Sequence, residues 1–202
     1  MFVDIQHLKF NQKFLGGVGA LLIPIGRLIF FIDNFSKGPC LLWNLWNILG
    51  SCLEVIGLIL ILLSIHNYSK LLKTKIIFQK ILWAFLVVLF LRFLGIIGVF
   101  VPIKFIFTKE KISENPFMFI IFLAIFLFLL LTFIILLARL YRSAFKEMGN
   151  RLSNNLFILG GNFLYYGVLL YILFIGIPVE LIGWIIISIA FLKIPKEIQI
   201  HE

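Results

Sequence analysis

The sequence predicts an all-α, polytopic membrane helix bundle of about six transmembrane helices, with both termini in the cytoplasm. Composition, run length and charge placement predict it. Of 202 residues, 62% are hydrophobic and only 13% charged, and mean hydropathy is +1.14. A soluble domain averages about half apolar and about a quarter charged. Folding in water could not hide this much apolar surface, so a soluble globule, a disordered chain and a disulfide scaffold are excluded. The apolar residues are also gathered into runs of spanning length, about 20 residues each. Residues 1–202 form a single transmembrane domain.

The leader Met1 to Lys13 is expected to be a surface-lying segment, with Phe2, Ile5 and Leu8 recurring every three residues, or else a plain polar tail. Helix 1 is expected over Phe14 to Ile32 despite Pro24 and Arg27. Its twelve Leu, Ile, Val and Phe residues contribute about −4 to −7 kcal/mol to insertion. A central arginine costs about +2.5 to +3.5 kcal/mol, so insertion wins. No small-residue cleavage pattern follows this run, so it is read as a retained helix. Helix 2 lies within Leu41 to Ile65, and helix 3 within Ile77 to Val101, where Pro102 ends it. Helix 4 starts at Phe117, reaches about Leu137, and is the cleanest lipid-facing candidate. Beyond it, Leu140, Ala144, Met148 and Leu152 recur every four residues, with Tyr141 and Phe145 beside them, which predicts helix 4 continuing into, or bending along, the inner membrane interface, or else an ordinary solvated loop. Helices 5 and 6 share Leu156 to Ile194. Gly176-Ile177-Pro178 is expected to break that stretch, with helix 6 from Val179 to Phe191.

Basic residues set the orientation. With six spans and the N-terminus inside, the inner segments hold twelve lysines and arginines and the outer segments four. The net charge of +9 is therefore a topology signal suited to an anionic inner leaflet, not a nucleic-acid signature. The expected location is the cell membrane, as a multi-pass protein.

Two hairpins, 14–66 and 156–194, carry a matching pattern that suggests a parallel repeat. Leu15-Gly16-Gly17 matches Leu159-Gly160-Gly161, and Glu54-Val55-Ile56-Gly57 matches Glu180-Leu181-Ile182-Gly183. The first copy is longer, with an insertion expected around Arg27 to Asn47. Gly16 with Ala20, and Gly95 with Gly98, are read as helix-packing positions.

The candidate site is an intramembrane polar layer of Arg27, Glu54, Arg92 and Glu180. At 1.5 Å per helical residue, Arg27 and Arg92 lie about 20 and 22 Å above the inner helix ends, and each glutamate about 17 Å. Charges in lipid face the bundle interior and pair. The layer serves either as a structural ion pair or as a site for a charged substrate or proton. Glu180, beside the Gly-Ile-Pro turn, has the further reading of an exposed side chain. Elsewhere the chemistry is sparse. Cys40 and Cys52 make no disulfide framework, and Cys52 in its apolar run is read as a buried small side chain. His7, His66 and His201 are scattered, so no metal or other cofactor is expected. No hydroxyl shares a level with a histidine, and no catalytic motif occurs. The chain is expected not to be an enzyme.

Several stretches resemble a known family. Leu15-Gly16-Gly17-Val18-Gly19-Ala20 follows a short lysine-containing leader. Ile56-Gly57-Leu58-Ile59-Leu60-Ile61 precedes a polar loop and Ile77-Phe78. Leu156-Phe157 and Trp184-Ile185-Ile186-Ile187-Ser188-Ile189-Ala190-Phe191 complete the pattern. Together they resemble an uncharacterised, mostly archaeal, multi-pass membrane family, domain of unknown function 996. The resemblance implies multi-pass topology and nothing about activity. Two functional classes follow. One is a non-catalytic membrane scaffold or interaction protein, with a membrane-protein partner, a second copy of itself, or anionic lipid at its inner face. The other is a small-solute or ion transporter, or a channel-like bundle, working through the Arg/Glu layer.

Overall fold

Runs too apolar to be solvated must satisfy their backbone groups internally, and a helix does so within one segment. The computed structural model describes residues 2–4, 10–35, 40–100, 116–170, 175–194 and 197–199. Within these, side chains are described except at 2–4, 10–11, 30–35, 40–45, 47, 92–100, 116, 118–119, 122–123 and 197–199. The elements are β1 (Phe2–Asp4), α1 (Phe10–Phe35), α2 (Cys40–Leu71), α3 (Ile76–Phe100), α4 (Pro116–Arg151), α5 (Asn155–Leu169), α6 (Gly176–Leu192) and β2 (Glu197–Gln199). Each helix packs on its neighbours in sequence, and α1 packs on α6, so the six form a closed ring.

Three segments are long and apolar enough to cross a membrane: Gln12–Ile29, Ile48–Leu71 and Ala124–Arg151. Ile76–Leu91, Asn155–Leu169 and Gly176–Leu192 are shorter apolar helices.

Several expectations are corrected. The leader is neither a surface helix nor a plain tail at residues 2–4. There β1 pairs antiparallel with β2, Val3 opposite Ile198, which keeps the two ends of the chain together. α1 extends beyond Phe14–Ile32 at both ends, and Arg27 lies inside it. The expected insertion therefore shrinks to the connection 36–39, which lies outside the described residues. α4 is one continuous helix of 36 residues, about 54 Å long against a hydrocarbon core of about 30 Å. Its four-residue stripe does not lie on the membrane. Tyr141, Ala144, Phe145, Met148 and Leu152 are buried in the protein core.

The break before helix 6 also moves. Gly176 starts α6 and Pro178 sits in its first turn, where a helix needs no donor from proline. The connection 171–174 lies outside the described residues. Gly95 and Gly98 lie in α3, but their packing falls beyond the described side chains.

Two connections share one turn design. Lys73 and Ser153 adopt positive φ of 50° and 49°. The next residue's N–H reaches back into the helix, Thr74 to Ser69 O at 3.0 Å and Asn154 to Gly149 O at 2.9 Å. These bonds satisfy carbonyls that a helix end would leave orphaned. Asn154 then caps α5, its Oδ1 accepting from Leu156 N at 3.1 Å. Its Nδ2 donates to Ala190 O at 3.0 Å, which binds the start of α5 to the end of α6.

At this end of the bundle the core is aromatic. Tyr141 meets Trp184 edge-on at 5.4 Å, Phe157 meets Phe191 at 5.0 Å, and Phe145 lies between them. Cations at the same end also tie the elements together. Lys13 Nζ donates to Ile194 O at 2.7 Å, Lys80 Nζ to Ser143 Oγ at 2.6 Å, and Arg142 Nε to Asn162 Oδ1 at 3.0 Å.

Candidate functional site

The site begins with glycine. Backbones in lipid approach closely only where side chains are small. A Cβ on Gly19 would stand 2.7 Å from Gly57 O, and one on Gly26 would stand 2.5 Å from Gly50 O and 3.0 Å from Glu54 N. These positions draw α1 onto α2 until Arg27, one residue after Gly26, reaches Glu54. The second hairpin does the same. A Cβ on Gly160 would stand 3.2 Å from Gly183 O, and one on Gly167 would stand 2.6 Å from Glu180 N. In both hairpins a glycine of the first helix therefore lies against the backbone of the glutamate. The contacts correct the register read from the sequence: Gly160 plays the part of Gly19, not of Gly16. Gly16 instead faces Phe191 and Ser64. Counting from that register, the position equivalent to Arg27 is Val168.

Arg27 joins the two hairpins. Its Nε and Nη2 donate to Glu54 Oε1 at 3.2 and 3.1 Å, and its Nη1 contacts Glu180 Oε1. Trp184, one helical turn after Glu180, donates its indole N–H to the same Glu180 oxygen at 3.1 Å. The Glu54 and Glu180 side chains are 3% and 1% exposed, against 16% for Arg27. Glu180 is thus not exposed beside its turn. It is held under α1.

Tyr141 of α4 completes the group. It is buried, and its ring packs edge-on at 5.4 Å against Trp184, the residue bonded to Glu180. Neither that hydroxyl nor Glu180 Oε2 has a hydrogen-bond partner. The structure thus brings together three of the four predicted layer residues. The Arg92 side chain lies outside the described residues. Sequence reasoning missed Tyr141 and Trp184. Trp184 is signalled by its four-residue spacing from Glu180. In sequence Tyr141 stands only beside the α4 stripe, next to Leu140.

Other candidates hold no comparable chemistry. Cys52 is exposed rather than buried, and it is a free thiol. Cys40 falls among the side chains not described. His66 is half-buried with its ring against Phe78 at 4.8 Å. Among the described residues no group of three or more His, Cys, Asp or Glu could hold a metal ion.

The profile of a family described as Protein of unknown function (DUF996) matches residues 53–185, about two thirds of the chain. The chain belongs to that family. The match includes Glu54, Tyr141, Glu180 and Trp184 and begins after Arg27. Neither the curated proteins nor the solved structures offer a match.

Proposed function

We propose that this DUF996 protein is a non-catalytic scaffold of the cell membrane, with six spans and both termini inside, whose charge cluster clasps its own helices and whose α4 meets another membrane protein. The observation that carries this reading is the exposure of α4. Phe117, Ile120, Ile121, Ile125, Phe128 and Leu131 are all exposed. Only 17% of the Ala124–Arg151 window is buried, against 39% for each of the other two long spans. Leu127, Phe128 and Leu129 are consecutive and all exposed, so they point about 100° apart around the helix. A helix lining its own bundle buries one stripe. This one offers most of its girth to lipid or to a partner chain.

The six-span reading draws support from the ring of six helices and from the β1–β2 pairing, which an even number of crossings permits. The matched glycine–glutamate contacts support a parallel repeat of the two hairpins.

Two experiments test the reading. A photoreactive amino acid at Phe128, activated in native membranes, should form adducts with a membrane protein. Adducts with lipid alone would refute the scaffold role. A single cysteine at Lys73, in a Cys40→Ser/Cys52→Ser background, should resist membrane-impermeant thiol reagents until cells are permeabilised. Labelling in intact cells would invert the topology.

A further inference from the structure

We infer that Glu180 and Tyr141 together bind one small monovalent cation, a proton or a sodium ion, and that this cation completes the packing of α6 against α1 and α4. Three observations carry it. First, Glu180 Oε2 is buried and has no hydrogen-bond partner, although its sister Oε1 is held by both Arg27 and Trp184. A buried carboxylate oxygen without a partner is costly, because its desolvation goes uncompensated. Second, the Tyr141 hydroxyl is also buried and unpartnered, and its ring packs edge-on at 5.4 Å against Trp184, whose indole N–H is bonded to Glu180. It is a neutral oxygen that accepts from a proton donor or ligates a metal cation. Third, the two hairpins contribute charge unequally. Each brings a glutamate against a glycine of its partner helix, but only the first brings a guanidinium, since Val168 stands where Arg27 would repeat. The second hairpin adds a carboxylate without adding a base of its own.

The surroundings fix the sign of the ligand. Around Glu180 stand Arg27 from α1, Glu54 from α2 on the same guanidinium, and Trp184 one turn away on α6 itself, with Tyr141 from α4 packed on Trp184. α5 brings the Gly167 backbone and has no Asp, Glu, Lys, Arg or His between Asn155 and Leu169. Its Tyr165 lies under Arg142, and its Tyr166 is exposed. An anion would meet two carboxylates here, whereas a cation meets one carboxylate oxygen not already bonded. The inference stands apart from the scaffold role, since the clasp and the α4 surface do not depend on it.

The test is thermal unfolding of the purified full chain in detergent micelles. Sodium is varied at fixed pH with choline replacing it, and pH is varied in choline without sodium. Glu180→Gln and Tyr141→Phe are measured alongside. A melting temperature that rises by about 3–6 °C per tenfold increase in sodium, or in proton concentration, shows the cation. A sodium response at constant pH identifies the metal ion, and a pH response in choline alone identifies the proton. Glu180→Gln should abolish the response. Tyr141→Phe, which removes one oxygen and keeps the ring, should weaken it at least several-fold while leaving the fold intact. No response to either cation, or a response unchanged in Tyr141→Phe and Glu180→Gln, overturns the proposal.

Discussion

Gly26→Ala adds one methyl group where the two most tightly packed helices touch. The new Cβ would stand 2.5 Å from Gly50 O and 3.0 Å from Glu54 N, both backbone atoms that no rotamer change can move. Ordinary carbon contacts lie near 3.5–4.0 Å, so α1 and α2 must separate by about 1 Å. That shift carries the Arg27 Nη2–Glu54 Oε1 contact from 3.1 Å to about 4 Å, beyond hydrogen-bond range. Overpacking costs about 1–3 kcal/mol, and the lost charge-assisted bond about 1.5–3. The better helix propensity of alanine returns about 0.5–1 kcal/mol. The net loss is about 1.5–5.5 kcal/mol, a fall of about 3–20 °C in Tm for a chain of this length. Gly17→Ala is the control. Its Cβ would meet the Leu192 side chain at 3.1 Å, and Leu192 is 55% exposed and free to rotate away. Although Gly17 is buried, the variant should melt within about 2 °C of wild type, because the contact is with a movable side chain and alanine's better helix propensity offsets it. Tryptophan fluorescence melts in micelles measure both. Equal stability of the two variants would refute the close-approach reasoning.

Two further predictions use the same physics. Gly167→Ala places a methyl 2.6 Å from Glu180 N and should cost about 1.5–5.5 kcal/mol as well; a neutral effect in a melt would separate the two hairpins in design. Ser153→Gly relieves a non-glycine residue at φ 49° and should raise stability by up to about 1 kcal/mol, read as a Tm increase of a few degrees; a decrease would mean that the Ser153 side chain contributes more than its backbone strain costs.

What the sequence disclosed, and what it hid, divides along physical lines. Helix number and approximate position were legible because apolar runs in lipid have few alternatives to helix. The breaks were less so, since Gly176 and Pro178 are as compatible with a helix start as with a helix stop. The α4 stripe was visible as a period, but a period does not say whether it faces headgroups or other helices. The buried column of Tyr141, Phe145 and Met148 answers that. Arg27, Glu54 and Glu180 were found because unpaired charge in lipid is expensive and depth can be counted along each helix. Which glycine of α1 matches Gly160 was hidden, since Gly16, Gly17 and Gly19 look alike in sequence. Only contact with Gly57 O singles out Gly19. The terminal strand pair escaped because three-residue strands carry no usable period.

The most direct measurement of the clasp is a double-mutant cycle between Arg27→Leu and Glu180→Gln, read as unfolding free energy in micelles. Removing one member of a buried ion pair costs about 3–5 kcal/mol, largely from the partner left behind. With Arg27 shared between Glu54 and Glu180, the double variant should lose at least about 2 kcal/mol less than the two single losses added together. Additivity within about 0.5 kcal/mol would mean that Arg27 and Glu180 do not hold each other, and the three-helix clasp would be wrong.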